Sequence, residues 1–384
     1  MIKLETNNTP NTIYFKNLDV LRFFAVFMVF FAHAYEGWCG WFNKPGILTV
    51  NQEYKEFTFI GEIINRGISN GGFGVDVFFL ISGFLITFLL LKEKEKTQKI
   101  HILNFFIRRS LRIWPAYFLL IALTPLSIHL ANAKSPDYLP NLLFYNNFHA
   151  IKINLWQYPF AHLWSICVEE HFYLLWPFVI AFWPKKHLPK LFGGIITASI
   201  LFRMYVLFAG WNPLYSYLHT LARVDIIVIG ASFAYYYFHN TITFKSPKWL
   251  RVSIYLLFLI VYFSTPVYSY NTLFEVTIKK YFFSLIVGYG MIHFLFNPNT
   301  LFKLPFLKIF NYLGKISYGM YLFSNVLIPI IVIRFMYKWS SQNMYLYFFL
   351  NFILTVGIAA FVYHFIEKPI LKWKKRFEIV QTKR

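Results

Sequence analysis

Apolar runs of about 20 residues recur along the chain, each closed by a short polar or basic segment, and this rhythm predicts ten membrane-crossing helices. The expected spans lie near 18–36, 73–91, 113–131, 163–183, 191–209, 221–238, 252–270, 281–297, 312–333 and 345–366. Runs of this length cross a hydrocarbon layer of roughly 30 Å at about 1.5 Å per residue. Polar and apolar positions do not alternate within them, which excludes the strands of a membrane barrel. Backbone groups in lipid must pair within the chain, so the expected fold class is all-α, a polytopic transmembrane helical bundle. No repeat of fixed period and no low-complexity linker interrupts the pattern, so residues 1–384 are expected to form a single integral-membrane domain. The connections near 37–72 and 132–162 mix Trp, Tyr, Asn, Pro and Gly, a composition that suits folded caps over the membrane.

Composition sharpens this picture. Of 384 residues, 58% are hydrophobic and only 14% charged, where soluble domains carry about a quarter charged residues. The 47 Phe residues exceed what a soluble core of this size can hide, so lipid is the expected partner of most of this surface. A net charge of +21 in a soluble chain would point to nucleic acid. Here the basic residues cluster between the apolar runs, as the positive-inside rule requires, and no nucleic-acid partner is expected. With the N-terminus inside, twenty-six of the 37 Lys and Arg fall in inner segments and nine in outer ones, with Arg203 and Arg223 inside spans. That asymmetry predicts both termini in the cytoplasm and a multi-pass protein of the inner (cytoplasmic) membrane. Lys3 and Lys16 before an apolar run, with Ala32-His33-Ala34 after it, resemble a secretory signal. Asp19 and Arg22 at the run's start, and the nine further runs, favour a retained first helix. Cys39 and Cys167 make no CxxC pair and no metal spacing, so both read as small buried hydrophobes and no metal site is expected.

Ionisable groups inside spans are costly and mark candidate sites. The first span places Arg22 and His33 eleven residues apart, close to three turns, hence on one face and roughly 16 Å apart along the axis. An imidazole there can take a proton from a hydroxyl, or serve only as an interhelical hydrogen-bonder. Arg108, Arg109 and Arg112 open the third span, and Arg109 and Arg112 form an R-x-x-R about 60° apart on a helix. Such forks bind phosphate bidentately, which suits a nucleotide-bearing donor such as coenzyme A; topogenic charge is the alternative. In the fourth span Glu169 and Glu170 need a polar interior, and His162, seven residues before Glu169, lies nearly on one face with it and could be coupled to it. These carboxylates either orient a base or its substrate, or hold helices together. Asp76 and Asp225 pose the same choice. The glycines near Asp76 lack the Lys-Ser/Thr of a phosphate loop, so Gly74, Ser82 and Gly83 are expected to allow close helix packing.

The segments LDVLRFFAVFMVFFAH, GVDVFFLISGFLIT, RRSLRIWPAYFLL, HLWSICVEEHFYLLWP, ARVDIIVIG, ISYGMYLF and FIEKPILKWKKR follow one another in this order. Together they resemble the acyltransferase family 3 membrane proteins, which O-acylate surface polysaccharides, peptidoglycan and some small molecules. The resemblance runs from Phe15 to Arg376. It implies that Arg22 and His33 are the functional pair of the first helix and that Arg109 and Arg112 form the cytoplasmic donor-side pair. Several positions depart from the family pattern. Val20 stands where Gly is common, Phe323-Ser324-Asn325 where Trp-His often follows the SYxxYL stretch, and His171 where Gln is commoner. The chain ends soon after the tenth span, so the esterase-like domain appended to some members is not expected.

The expected activity is therefore O-acetyl transfer from acetyl-CoA or a related acyl-CoA, a donor substrate rather than a bound cofactor, to a glycan or lipid-linked glycan. His33 and Arg22, with Glu169 and Glu170, are the expected catalytic residues; Arg108, Arg109 and Arg112 are the expected donor-binding ones. In the expected reaction His33 is the general base; an acylated protein group is the variant, though no Ser or Cys nucleophile is paired with His33. A transporter or flippase of lipid-linked glycan is the alternative, in which Arg203, Arg223 and Asp225 line the path. It predicts inverted repeats or paired broken helices, and the sequence has neither. A glycan polymerase, the third class, would hold its polar groups in a large outer loop.

Overall fold

The computed structural model describes residues 12–13, 15, 17–41, 67–68, 70–239, 247–264, 272–296, 307–325, 329–332, 334 and 343–382. Within these the chain is a helical bundle, and its regular β structure is one short parallel pairing. The principal helices are α1 (Leu18–Trp41), α2 (Phe73–Thr97), α3 (Ile102–Ala131), α4 (Trp164–Phe182), α5 (Leu188–Phe208) and α6 (Thr220–Phe238). They are followed by α7 (Lys248–Ser264), α8 (Lys280–Phe296), α9 (Leu307–Lys315), α10 (Ser317–Phe323), α11 (Met344–Val362) and α12 (Lys368–Lys374).

Among the described residues seven helical segments are long and apolar enough to cross a membrane: those carrying α1 to α6, and the one from Met344 to Phe377. The expected spans near 252–270 and 281–297 correspond to α7 and α8, helices of 17 residues each; residues 265–270 lie outside the described residues. The span expected near 312–333 is not one helix. It breaks at Ile316 into α9 and α10, just past a close packing contact with α1. Gly314 sits so close to α1 that a Cβ there would lie 1.6 Å from the Asp19 carbonyl oxygen. The third helix also differs, starting at Ile102 rather than near 113, so all three of its arginines lie within helical turns.

Close packing of α2 on α6 forms the centre of the bundle. A Cβ on Gly83 would stand 1.8 Å from the Ile227 carbonyl oxygen, and one on Gly230 2.2 Å from that of Leu80. The two backbones therefore touch through reciprocal glycines, as small-residue helix packing requires. Gly74 makes the same approach to Ala25, whereas Ser82 has a polar task described below. Two ion pairs cross this region fully buried: Arg223 with Asp76, and Arg203 Nη1 with Asp225 Oδ2 at 2.8 Å, to which the Tyr281 hydroxyl also donates. Cys39 and Cys167 are buried and unbridged.

One end of the bundle is basic and tied together. Lys94 of α2 donates to the Ile180 and Ala181 carbonyls at the C-terminus of α4, where a cation meets the helix's unpaired carbonyls. Lys96 reaches the Ile379 carbonyl and Arg108 that of Phe377. At this end strand β1 (Thr12–Ile13) runs parallel to β2 (Gln381–Thr382), so the segments near the two termini share one face of the molecule. Part of the segment between α3 and α4 is helical, at Leu139–Leu142 and Asn146–Ile153, in keeping with a folded cap. Most of the 37–72 connection lies outside the described residues.

Candidate active site

A cleft of about 980 Å³, counting the space open to solvent, lies between α1, α2, α3, α4 and the α9–α10 break. Arg22, Arg109, Arg112 and Lys315 bring four cationic side chains to its wall, facing Glu169 and Glu367.

Each arginine reaches the cleft by a different route. Arg22, 6% exposed, donates from Nη1 to Asp19 Oδ1 at 3.0 Å, one turn back on α1. The Arg109 guanidinium lies between two rings, its Cζ 5.6 Å from the centroids of both Phe105 and Tyr173. Those rings fix the plane of the fork while leaving its N–H groups to the cleft. Neither Arg109 nor Arg112 forms an ion pair with a carboxylate among the described residues. Arg108 does: its Nη2 donates to Glu93 Oε2 at 3.0 Å and its Nη1 to the Phe377 carbonyl at 2.7 Å. A helix turns about 100° per residue, so adjacent arginines face apart, and Arg108 joins the C-terminal segment rather than the cleft.

The same rotation separates the two glutamates. Glu169 lines the cleft, its Oε1 accepting from Ser82 Oγ at 2.6 Å, and Ser82 in turn accepts from the Tyr173 hydroxyl at 3.2 Å. Tyr173 thereby links the carboxylate to the ring that flanks Arg109. Glu170 points away toward Trp114, whose Nε1 lies 3.4 Å from its Oε2.

His33 does not line the cleft. Its ring lies against that of His162, the centroids 6.4 Å apart. Coupling of His162 to Glu169 is absent, because His162 belongs to a 3₁₀ turn, Ala161–Leu163, that leads into α4. The tighter turn carries its side chain off the face of Glu169, and its Nε2 meets the Leu322 carbonyl at 3.1 Å instead. Tyr321 donates to the His162 carbonyl oxygen at 2.5 Å and stands 2.7 Å from Ser165 Oγ. Tyr321 and Ser165 both line the cleft, so its deep end adjoins the histidine pair.

Lys315, Tyr321, Ser82, Tyr173 and Glu367 were not legible as site residues. The ISYGMYLF segment marked the region of Tyr321, and Gly314, Lys315 and Ser317 were the sequence signal beside the helix break. Asp76 and Arg223, and Arg203 and Asp225, are held in buried ion pairs, and none of the four lines this cleft.

A family model described as an acyltransferase domain matches residues 15–364. The chain is 31% identical over 350 residues to "O-acetyltransferase OatA" of Staphylococcus aureus, a match covering 83% of this chain and 56% of that protein. It is 30% identical over 338 residues to "Peptidoglycan O-acetyltransferase OatA" of Listeria monocytogenes, covering 80% of this chain and 53% of that protein. The aligned region thus spans about half the length of these relatives. No solved structure matches the chain.

Proposed function

The chain belongs to this acyltransferase family, and on that premise we propose that it moves an acetyl-type group from a cytoplasmic acyl-CoA to a carbohydrate hydroxyl of a cell-envelope glycan. The observation that carries the reading is one continuous cleft, with Arg109, Arg112 and Lys315 on its wall and the His33–His162 pair beside its deep end. Guanidinium forks free of carboxylate partners suit the phosphates of a nucleotide-bearing thioester. The names of the relatives support a glycan acceptor, with peptidoglycan or its lipid-linked precursor as the nearest candidates.

Chemistry then follows from the residues. Arg109 and Arg112 hold the donor's phosphates, and Glu169, fixed by Ser82, balances the charge of the arginines around it. His33 accepts the proton of the acceptor hydroxyl while that oxygen attacks the thioester carbonyl. The carbon–sulfur bond breaks, and His33 returns the proton to the departing thiolate. Correct placement of such a base contributes about 10²–10⁴-fold to the rate.

In this reading the chain crosses the inner membrane ten times with both termini in the cytoplasm. The 26-to-9 bias of Lys and Arg supports that topology, as does the shared face of the terminal segments. A glycan transporter is less well supported, since its expected path residues are locked in buried ion pairs. Thioester consumption separates the two. Purified protein in lipid nanodiscs is expected to move label from radiolabelled acetyl-CoA into glycan of native membranes. A protein that leaves acetyl-CoA untouched while moving lipid-linked glycan across vesicles would be the transporter instead.

A further inference from the structure

His33 comes from α1 and His162 from the turn before α4, yet the fold sets their rings edge to face at 70°, centroids 6.4 Å apart. No direct hydrogen bond joins the two rings among the described residues. The oxygen of a single water between them would link the two, and such bridged contacts are nearly as favourable as direct ones.

The two rings are held very differently. His162 is 2% exposed, and its Nε2 faces the Leu322 carbonyl oxygen, which can only accept. That contact accounts for a proton on Nε2, and Nδ1 makes no hydrogen bond among the described residues. Tyr321 anchors His162 twice, donating to its carbonyl oxygen and packing its own ring 5.5 Å from the imidazole. His33 is half-buried, and its Nδ1 has no hydrogen-bond partner among the described residues. A base needs its tautomer and ring plane fixed by a neighbour, the part that a carboxylate takes in a serine-protease triad.

Resting on the acyl-transfer reading, we propose that His162 is a positioning residue for His33, in series from the Leu322 carbonyl through His162 to His33 and the acceptor hydroxyl. His162 neither gains nor loses a proton. Its neutral lone pair accepts, through the shared oxygen, a hydrogen bond from His33 and steadies the imidazolium during transfer. The hydroxyl proton goes to His33 and then to the thiolate, while the ester bond forms and the thioester bond breaks.

The test uses the full chain in nanodiscs, radiolabelled acetyl-CoA and glycan of native membranes, with maximal rate, acetyl-CoA KM and melting temperature measured together. His162→Ala is expected to lower the maximal rate by about tenfold or more, short of the roughly 10⁴-fold cost of replacing a triad's orienting carboxylate. The KM should stay within about twofold, because the cations of the cleft are untouched. His162→Gln, whose amide can donate to Leu322 and accept from His33, should recover most of that rate. If His162→Ala does not fold, His162→Leu refills the space without an acceptor and carries the same criterion. A maximal rate within about twofold of wild type overturns the proposal, and so does a loss that tracks a raised KM or a lowered melting temperature. Those results leave the acyl-transfer reading standing. An inert wild type, or a fully active His33→Gln, overturns that reading and the proposal with it.

Discussion

At the scale of single residues, direction around the helix decides role. Arg108 and Arg109 are neighbours, yet one is neutralised by Glu93 and the other lies between Phe105 and Tyr173 at the cleft. Replacing both Arg109 and Arg112 with Ala should raise the acetyl-CoA KM by about tenfold or more while the protein still inserts. Lys at both positions should restore activity only in part, since an ammonium lacks the planar fork. Undiminished donor use by the double Ala variant would show that these arginines only set topology. His33→Gln is expected to lose transfer by about 10²-fold or more at wild-type expression, because an amide cannot take up a proton. Interhelical hydrogen bonds in membranes are worth about 0.6–2 kcal/mol, so a mere strut at His33 would leave most activity in that variant. Retention of more than about a tenth of the wild-type rate excludes His33 as the base.

At the scale of elements, α2 and α6 touch backbone to backbone, and α6 takes part in both fully buried ion pairs found among the described residues, with α2 through Asp76 and with α5 through Arg203. Gly83→Leu should prevent folding, since even its Cβ would fall 1.8 Å from the Ile227 carbonyl oxygen, a backbone atom that cannot swing aside. Detergent size-exclusion profiles will read this as aggregation, and a monodisperse peak would mean the helices can separate without cost. Asp76→Asn leaves the Arg223 charge buried without its counter-ion, a change worth about 3–5 kcal/mol. A marked fall in melting temperature is expected, relieved when Arg223→Met is added. The break between α9 and α10 belongs to the same scale. Irregular backbone at membrane depth is tolerated where it lines a cavity, and here it brings Lys315 and Ser317 to the cleft wall.

At the scale of the whole molecule, the basic end joins α2, α3, α4 and the C-terminal segment into one surface. Reporter fusions at Gln98 and after Arg384 are expected to read cytoplasmic, and one at Pro136 to read outside. An outside signal at Gln98 would overturn the proposed topology, and with it the side from which the donor arrives.

Helical class and, among the residues of the cleft, Arg22, Arg109, Arg112 and Glu169 were legible in the sequence because each rests on a local quantity. Apolar run length against lipid thickness gave most of the helices, and the three-turn spacing of Arg22 and His33 gave a shared face on one helix. What one helix turn away means for a neighbour was not legible. Glu169 against Glu170, and Arg109 against Arg108, differ by which other helix stands opposite, and that is set by packing among segments far apart in the chain. The ninth span reads as one helix from its overall apolar character, although Gly314, Lys315 and Ser317 interrupt it; the partner that Gly314 meets, α1, lies nearly 300 residues away. His162 meets Leu322 rather than Glu169 for a related reason, since its 3₁₀ turn is held by a bond from the Tyr321 hydroxyl and its own Nε2 faces the Leu322 carbonyl. Local spacing fixes which residues share a face, and only tertiary contacts decide what that face meets.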